Sequence, residues 1–141
     1  LDPETARLAI LAGAQFVVGP VFRPEVIAMC HRYDVAAMPG CFTPTDILAA
    51  WDAGADVVNV FPATALGPGF FTAVRGPLPQ VKLMPTGGVS LDNAGDWIGA
   101  GAVAVGVGTA LLDAKAIAAG DYGVITANAK RIVANVAAAR K

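Results

Sequence analysis

One polar residue, Asn59, stands in the middle of an apolar, β-branched run over residues 56–63, which contains one proline near its end. Such a run predicts a buried strand, and a buried amide needs hydrogen-bond partners or costs about 1–3 kcal/mol. Asn59 is therefore a candidate site residue; the alternative is a core asparagine with satisfied hydrogen bonds. By side-chain parity Asn59 shares a strand face with Phe61, and Thr86 and Lys82 share a face of the next strand, with Lys82 deeper.

Two glycine-rich turns follow two successive predicted strands, Thr86-Gly87-Gly88-Val89 and Gly106-Val107-Gly108-Thr109. Glycine has no Cβ, so the backbone can approach a ligand closely. Backbone N–H groups and a helix N-terminus, here the one near Asp113, bind phosphate. The turns predict a phosphate site; alternatively, their glycines serve only tight strand-to-helix connections.

Helix starts alternate with short apolar runs along the whole chain. Several of the helices begin with a capping residue followed by a proline at the first helical position. The intervals between strand ends, about twenty to twenty-five residues, predict βα units of a parallel sheet. No stretch is typical of a linker, so residues 1–141 are expected to form one domain. The predicted strands cover 15–19, 35–38, 56–63, 81–84 and 102–107. The predicted helices cover 2–13, 23–33, 43–54, 67–75, a segment opening at 91, 113–119 and 121–140.

Two α/β architectures fit this pattern, a doubly wound sheet and part of a (β/α)8 barrel. The barrel is favoured because special residues follow every predicted strand, as at the site-bearing face of a barrel, whereas a nucleotide-binding sheet concentrates its glycines after one strand. Those residues are Pro20, Pro39-Gly40, Pro62, Gly87-Gly88 and Gly108. Since five strands cannot close an eight-stranded barrel, the chain is expected to hold the C-terminal five βα units and to lack the first three strands.

Composition excludes several classes of function. Hydrophobic residues make up 55% and charged residues 15% of the 141 residues, and the net charge is -1. Without a basic cluster or a long apolar run, neither nucleic acid nor a membrane is an expected partner. Cys30 and Cys41 lack zinc-type spacing, which favours free thiols of a cytoplasmic protein, and His31 is the single histidine. No metal or cofactor is expected.

Several short motifs occur in one order and together resemble the 2-keto-3-deoxy-6-phosphogluconate (KDPG) and 4-hydroxy-2-oxoglutarate aldolase family. The resemblance extends over essentially the whole chain. It implies a (β/α)8 barrel, usually a homotrimer, that splits the sugar acid into pyruvate and glyceraldehyde 3-phosphate without metal. The motifs are Met38-Pro39-Gly40-Cys41-Phe42-Thr43-Pro44-Thr45, Val60-Phe61-Pro62-Ala63, Gly76-Pro77, Met84-Pro85-Thr86-Gly87-Gly88 and Ala119-Gly120-Asp121-Tyr122.

The resemblance also implies roles for individual residues. Thr86 would contact the pyruvate-derived part of the substrate. Gly87, Gly88 and Gly108, beside Gly106, would hold the phosphate. Pro20 and Phe61 would line the pocket.

The chain departs from the family at its central residue. The residue before the Val-Phe-Pro-Ala run is the Schiff-base lysine of the family, and here it is Asn59. A carboxamide cannot condense with a keto group to form an iminium. The family's acid/base glutamate is expected upstream of Leu1. We therefore expect the chain as written not to turn over substrate.

Three explanations of Asn59 remain open: an inactivated aldolase, a natural binder of a phosphorylated sugar acid, and an enzyme in which Lys82 has taken over. The depth of Lys82 disfavours the third. A thiamin-phosphate-synthase-like enzyme shares the Thr-Gly-Gly turn but would need acidic magnesium ligands at the strand ends. A structural subunit that associates through an open sheet edge is a further class.

Overall fold

Short parallel strands alternate with helices in the computed structural model, which describes residues 1–140. The α/β class is confirmed, and four of the five predicted strands are present in shortened form. The strands are β1 Phe16–Val18, β2 Ala36–Met38, β3 Gly40–Cys41, β4 Val58–Val60 and β5 Leu83–Pro85. The helices are α1 Pro3–Leu11, α2 Pro24–His31, α3 Pro44–Asp52, α4 Pro68–Arg75, α5 Ala94–Gly99, α6 Ala114–Ala118 and α7 Tyr122–Ala139, with a 3-10 turn at Ala63–Ala65.

Local sequence explains why the first and third helices begin where they do. The Asp2 carboxylate accepts a hydrogen bond from Thr5 N–H at 2.7 Å, which caps α1. Thr43 and Asp46 form a reciprocal capping box on α3. In each case proline occupies the first helical position, where no N–H is needed.

The strands form one parallel layer that is interrupted at Pro39. β2 pairs with β1, whereas β3 pairs with β4, which in turn pairs with β5. The Pro39 carbonyl accepts from Asn59 N–H at 2.9 Å, so the layer is continuous across the interruption. Pro39-Gly40 was expected to follow the end of a strand, but Pro39 lies between two paired segments and Gly40 begins the second of them.

The predicted strand over residues 102–107 was wrong, and Pro85 supplies the reason. Val103 N–H donates to Leu83 O and Gly106 N–H donates to Pro85 O, so the segment does run beside β5. A regular parallel ladder would next require an N–H at position 85 to donate to Val103 O. Proline has none; the Val103 carbonyl accepts from Arg140 instead, and a single bridge, Thr86 to Gly106, remains.

The two faces of the layer have different surroundings. The outward side chains of β4 and β5 are fully buried beneath the helices, and they pack in one core with Ile27, Ile47 and Phe71. Within residues 1–140 the layer does not close into a barrel, because β1 and the segment around Gly106 pair on one side only. None of the described helices has the length and apolarity required to cross a membrane.

A polar cluster ties α2 to the amino-terminal end of the layer. The Asp56 carboxylate accepts from Ala37 N–H at 2.8 Å and from His31 Nε2 at 3.0 Å. Partial burial of this carboxyl opposes its charge, but the two hydrogen bonds outweigh burial and hold the pKa of Asp56 below its ordinary value. His31 therefore has a structural partner at the end of the layer opposite to the predicted site.

Gly40 allows the loop after β1 to cross the layer. A Cβ at position 40 would overlap the Pro20 carbonyl group and lie 2.6 Å from Val21 N. The backbone of residues 19–21 thus rests directly on Gly40, and only glycine leaves room for it.

We expect Gly40→Ala to lower the free energy of unfolding by about 1–3 kcal/mol, because the added methyl group must displace backbone. Urea unfolding followed by circular dichroism measures the change. Gly69→Ala, at a helical position with open space around it, is the matched control and is expected to be neutral or slightly stabilising. Equal stability of the two variants would contradict the steric argument.

Asp56→Asn is expected to remove a pH-dependent part of the stability. Folding lowers the pKa of Asp56 from its ordinary value of 3.8. The charged group therefore stabilises the fold above that pH, and this stabilisation is lost as the pH falls through the lower folded-state pKa. The variant should be less stable by up to about 1 kcal/mol at pH 7, and the difference should shrink below about pH 4. Urea titrations from pH 2 to 7 test this, with the exposed Asp52→Asn as control; a difference that grows in acid would refute it.

Candidate functional site

Strand register brings Asn59 and Thr86 to the inner face of the layer. Asn59 is paired with Gly40 on one side and with Met84 on the other, and Thr86 is bridged to Gly106. Register partners in parallel strands share a face, and side chains alternate along each strand. These five residues therefore line one face, opposite to the helices, at the carboxyl-terminal end of the strands.

Asn59 is only 2% exposed, and one half of its amide is paired. Its Nδ2 donates to the carbonyl oxygen of Gly19 at 3.1 Å, across the strand that lies between them. Its Oδ1 is buried and has no hydrogen-bond partner within residues 1–140. The bond to Gly19 fixes the orientation of the amide, because a carbonyl accepts only from the nitrogen. Asn59 is thus neither a fully satisfied core residue nor an exposed one.

Thr86 presents a second unpartnered polar atom. Its backbone is bonded to β4 and the turn after it, since its N–H donates to Val60 O at 3.0 Å and its carbonyl accepts from Ala63 N–H at 2.9 Å. Its Oγ1 is buried without a partner in the described part of the chain. A Cβ at Gly106 would overlap this hydroxyl, so Gly106 leaves the space that the Thr86 side chain occupies.

The turn after β5 has a conformation that requires glycine. Gly87 and Gly88 have φ angles of 87° and 76°, a region that other residues rarely adopt. Thr64 packs against both glycines, with its Cα 3.0 Å from a Cβ placed at Gly88. The Gly88 carbonyl accepts from Asn93 Nδ2 at 2.9 Å. The backbone of this turn is therefore held rigidly at the carboxyl-terminal end of the layer.

The second glycine turn is more open. Gly108 is exposed and has no atom within 4 Å of a Cβ placed on it. The helix N-terminus near Asp113, expected to attract phosphate, is already capped, because the Asp113 carboxylate accepts from Ala116 N–H at 2.8 Å. The negative carboxylate at this position disfavours an anion there, which leaves the glycine turns as the basis for a phosphate site.

Pro20 and Phe61 lie near the carboxyl-terminal ends of β1 and β4, where the sequence placed them. Pro20 is exposed, and Phe61 is 37% exposed. A cavity of about 230 Å³ lies beside the end of β1 and includes Pro20 in its lining together with Gly19 and Met38, but neither Asn59 nor Thr86. The structure therefore places Pro20 next to a cavity that Asn59 and Thr86 do not line.

No strong nucleophile lies next to Asn59 among the residues that the structure describes. Lys82 is exposed and precedes Met84, the register partner of Asn59, by two residues, which is about 7 Å along a strand. Burial, with a smaller contribution from the Asp46 carboxylate, raises the pKa of the Cys41 thiol to about 12, so this thiol stays protonated at neutral pH. Among residues 1–140, no three His, Cys, Asp or Glu side chains cluster in a way that could hold a metal ion.

Sequence reasoning missed two parts of this site. The Gly19 carbonyl, which pairs with Asn59, is a backbone group and has no sequence signal. The sequence predicted that Gly40, with Pro39, follows the end of a strand. It did not predict that the loop after β1 crosses over Gly40.

Comparison with known proteins places these features in a family. The family model described as "KDPG and KHG aldolase" matches residues 1–128. The 2-dehydro-3-deoxy-phosphogluconate aldolase of Treponema pallidum is 39% identical over 128 residues, which are 90% of this chain and 61% of that protein. The chain thus spans less than two thirds of the length of such curated relatives.

Two solved structures share the fold. A native KDPGal structure is 31% identical, has a TM-score of 0.83, and is matched over 96% of this chain and 66% of its own length. The KDPG aldolase of Legionella pneumophila, with pyruvate captured as a covalent carbinolamine intermediate, is 25% identical with a TM-score of 0.82, over 91% of this chain and 63% of its own.

We expect Gly106→Ala to lower the free energy of unfolding by about 1–3 kcal/mol, because its methyl group would overlap the Thr86 hydroxyl and force that side chain to another rotamer. Gly108→Ala, in the same turn but with open space around it, is the control and should leave stability unchanged. Thermal unfolding of both variants measures the contrast. If Gly108→Ala is destabilised and Gly106→Ala is not, the contact with Thr86 does not determine how a methyl group in this turn affects stability.

Proposed function

The chain belongs to the KDPG and KHG aldolase family, and we propose that it binds the keto-acid substrates of this family without forming a Schiff base. The single observation that supports this proposal is the placement of Asn59. It is buried on the inner face at the carboxyl-terminal end of the layer, beside Thr86, with an unpartnered amide oxygen. By its resemblance to the family, Asn59 occupies the position of the Schiff-base lysine.

The chemistry of the side chain separates binding from turnover. A class I aldolase requires an amine that loses its proton, condenses with the substrate keto group and then acts as electron sink through the iminium. Burial helps a lysine lose that proton, whereas the nitrogen of a carboxamide is not nucleophilic. The inward-facing positions nearest Asn59 are Gly40, Met84, Thr86 and Gly106, and none of these four carries an amine or a carboxylate.

The remaining residues retain features that suit binding. Thr86 offers a buried hydroxyl to the pyruvate-derived end of the substrate. The Gly87-Gly88 turn, with Gly106 and Gly108 beside it, offers backbone to the phosphate. Pro20 and Phe61 would line the entrance. In the Legionella relative a covalent pyruvate intermediate was captured, which supports pyruvate as the part of the ligand that lies nearest position 59.

The remaining features of the proposal extend from the family. We propose that residues 1–141 form one partial barrel-type domain, and that the assembled protein is a homotrimer that acts without a metal. The ligand is a phosphorylated sugar acid of the KDPG type or 4-hydroxy-2-oxoglutarate. Light scattering on the purified chain measures the assembly directly.

Borohydride trapping with pyruvate tests the absence of Schiff-base chemistry. Borohydride reduces any lysine–pyruvate iminium to a stable adduct, which intact mass and peptide mapping locate. We expect no adduct on the chain as it stands, because Asn59 cannot form an iminium and Lys82 is exposed and lies about 7 Å from Met84 along the strand, away from the carboxyl-terminal end. An adduct at Lys82 would overturn the proposal and show that the amine has moved.

Asn59→Lys is the positive control for the pocket. We expect this variant to form an adduct at position 59 but to recover only part of the aldol activity, measured as pyruvate release, since the inward-facing positions beside it hold no carboxylate for proton transfer. The exposed Asp52→Lys adds a lysine elsewhere and should form no adduct. An Asn59→Lys variant that is folded but forms no adduct would argue against a pyruvate-binding pocket.

A further inference from the structure

The buried side-chain atom of Asn59 that lacks a partner is an acceptor. Its Nδ2 is engaged by the Gly19 carbonyl at 3.1 Å, and its Oδ1 is the atom without a partner among residues 1–140. A flip of the amide would place two oxygens in contact, so the bond to Gly19 sets the orientation. A ligand that reaches this side chain therefore meets a buried oxygen that needs a hydrogen bond.

A buried acceptor discriminates between ligand groups by what they can donate. The oxygen of a ketone has no hydrogen and leaves Oδ1 of Asn59 unpaired, whereas a hydroxyl group donates to it. Sites that are built around a buried polar atom reject ligands that leave the atom unpaired. The Schiff-base lysine of the family reacts with a keto carbon and so selects a keto acid. Asn59, at the same position by resemblance, favours a hydroxyl group instead.

Thr86 supplies the complementary group on the neighbouring strand. It lies two residues beyond Met84, the register partner of Asn59, so the Cα atoms of Asn59 and Thr86 are about 8 Å apart from strand spacing alone. Its Oγ1 is buried and unpartnered, and a hydroxyl can donate to a carboxylate. One face thus offers a donor for a carboxylate and an acceptor for a hydroxyl.

We propose that Asn59 and Thr86 make this site selective for a 2-hydroxy acid over the corresponding 2-keto acid. The ligand carboxylate accepts from the Thr86 hydroxyl, and the hydroxyl on C2 donates to Asn59 Oδ1. This inference rests on the proposed function and names the form of the sugar acid that binds more tightly. No covalent step is involved, and the ligand leaves unchanged.

The loop of residues 19–21 contacts Asn59 through the Gly19 carbonyl. Its backbone rests on Gly40, the register partner of Asn59. This contact holds Nδ2 of the amide in place and keeps Oδ1 as the unpaired acceptor.

Calorimetry with a matched pair of ligands tests the selectivity. KDPG and the pair of epimers obtained by borohydride reduction of its C2 keto group differ only at the carbon that faces Asn59. We expect the better reduced epimer to bind the wild-type chain at least about tenfold more tightly, which corresponds to about 1.4 kcal/mol. Equal or tighter binding of KDPG would overturn the selectivity and leave the proposed function intact, whereas binding of neither ligand would overturn both.

Variants assign the selectivity to individual atoms. Asn59→Leu removes the acceptor at similar volume and should abolish the preference, and Asn59→Ala gives the same readout if the leucine variant does not fold. Thr86→Val should weaken both ligands equally. Thr126→Val, which removes an exposed hydroxyl from α7, should change nothing. A preference that survives in folded Asn59→Leu or Asn59→Ala would overturn the assignment, and thermal unfolding establishes that each variant is folded.

Discussion

The hydrogen bond from Asn59 Nδ2 to the Gly19 carbonyl connects β4 to the end of β1 across the strand between them. It lies next to Gly40, where a side chain would overlap the backbone of Pro20 and Val21, the residues that follow Gly19. One amide thus holds the loop after β1 against the inner face and at the same time leaves its own oxygen unpaired. The arrangement of the site follows from this contact, since it determines which atom of Asn59 remains for a ligand.

Fold and chemistry are separable in the proposed function. The chain belongs to the KDPG and KHG aldolase family, and the capping box of α3 and the glycine turn over Thr64 are formed by residues other than Asn59. Under the proposal, Schiff-base catalysis would need an amine at position 59. A scaffold can keep its ligand-binding backbone without that amine, because function resides in the site and not in the fold.

Proline explains where sequence patterns and hydrogen-bonded strands disagree. Apolar runs predicted β1, β2, β4 and β5 well, since buried parallel strands are nearly continuous in hydrophobic residues. Residues 102–107 have the same pattern but lack a ladder, because Pro85 on the neighbouring strand has no N–H to donate to Val103 O. Pro39 likewise interrupts the layer, so that residues 36–38 and residues 40–41 pair as two separate strands. Hydrophobic periodicity describes burial, whereas a ladder also needs donors from the partner strand.

The sequence by itself determined the α/β class, the family, the position of Asn59 within a buried strand and the glycines that follow Thr86. All of these depend on residue type and local spacing. Only the tertiary structure decided that Gly19 is the partner of Asn59, that Gly106 makes room for the Thr86 hydroxyl, and that Asp113 caps the helix expected to bind phosphate. Contacts between residues forty positions apart, and bonds to backbone carbonyls, are set by how the strands pair in space, which local residue patterns do not encode.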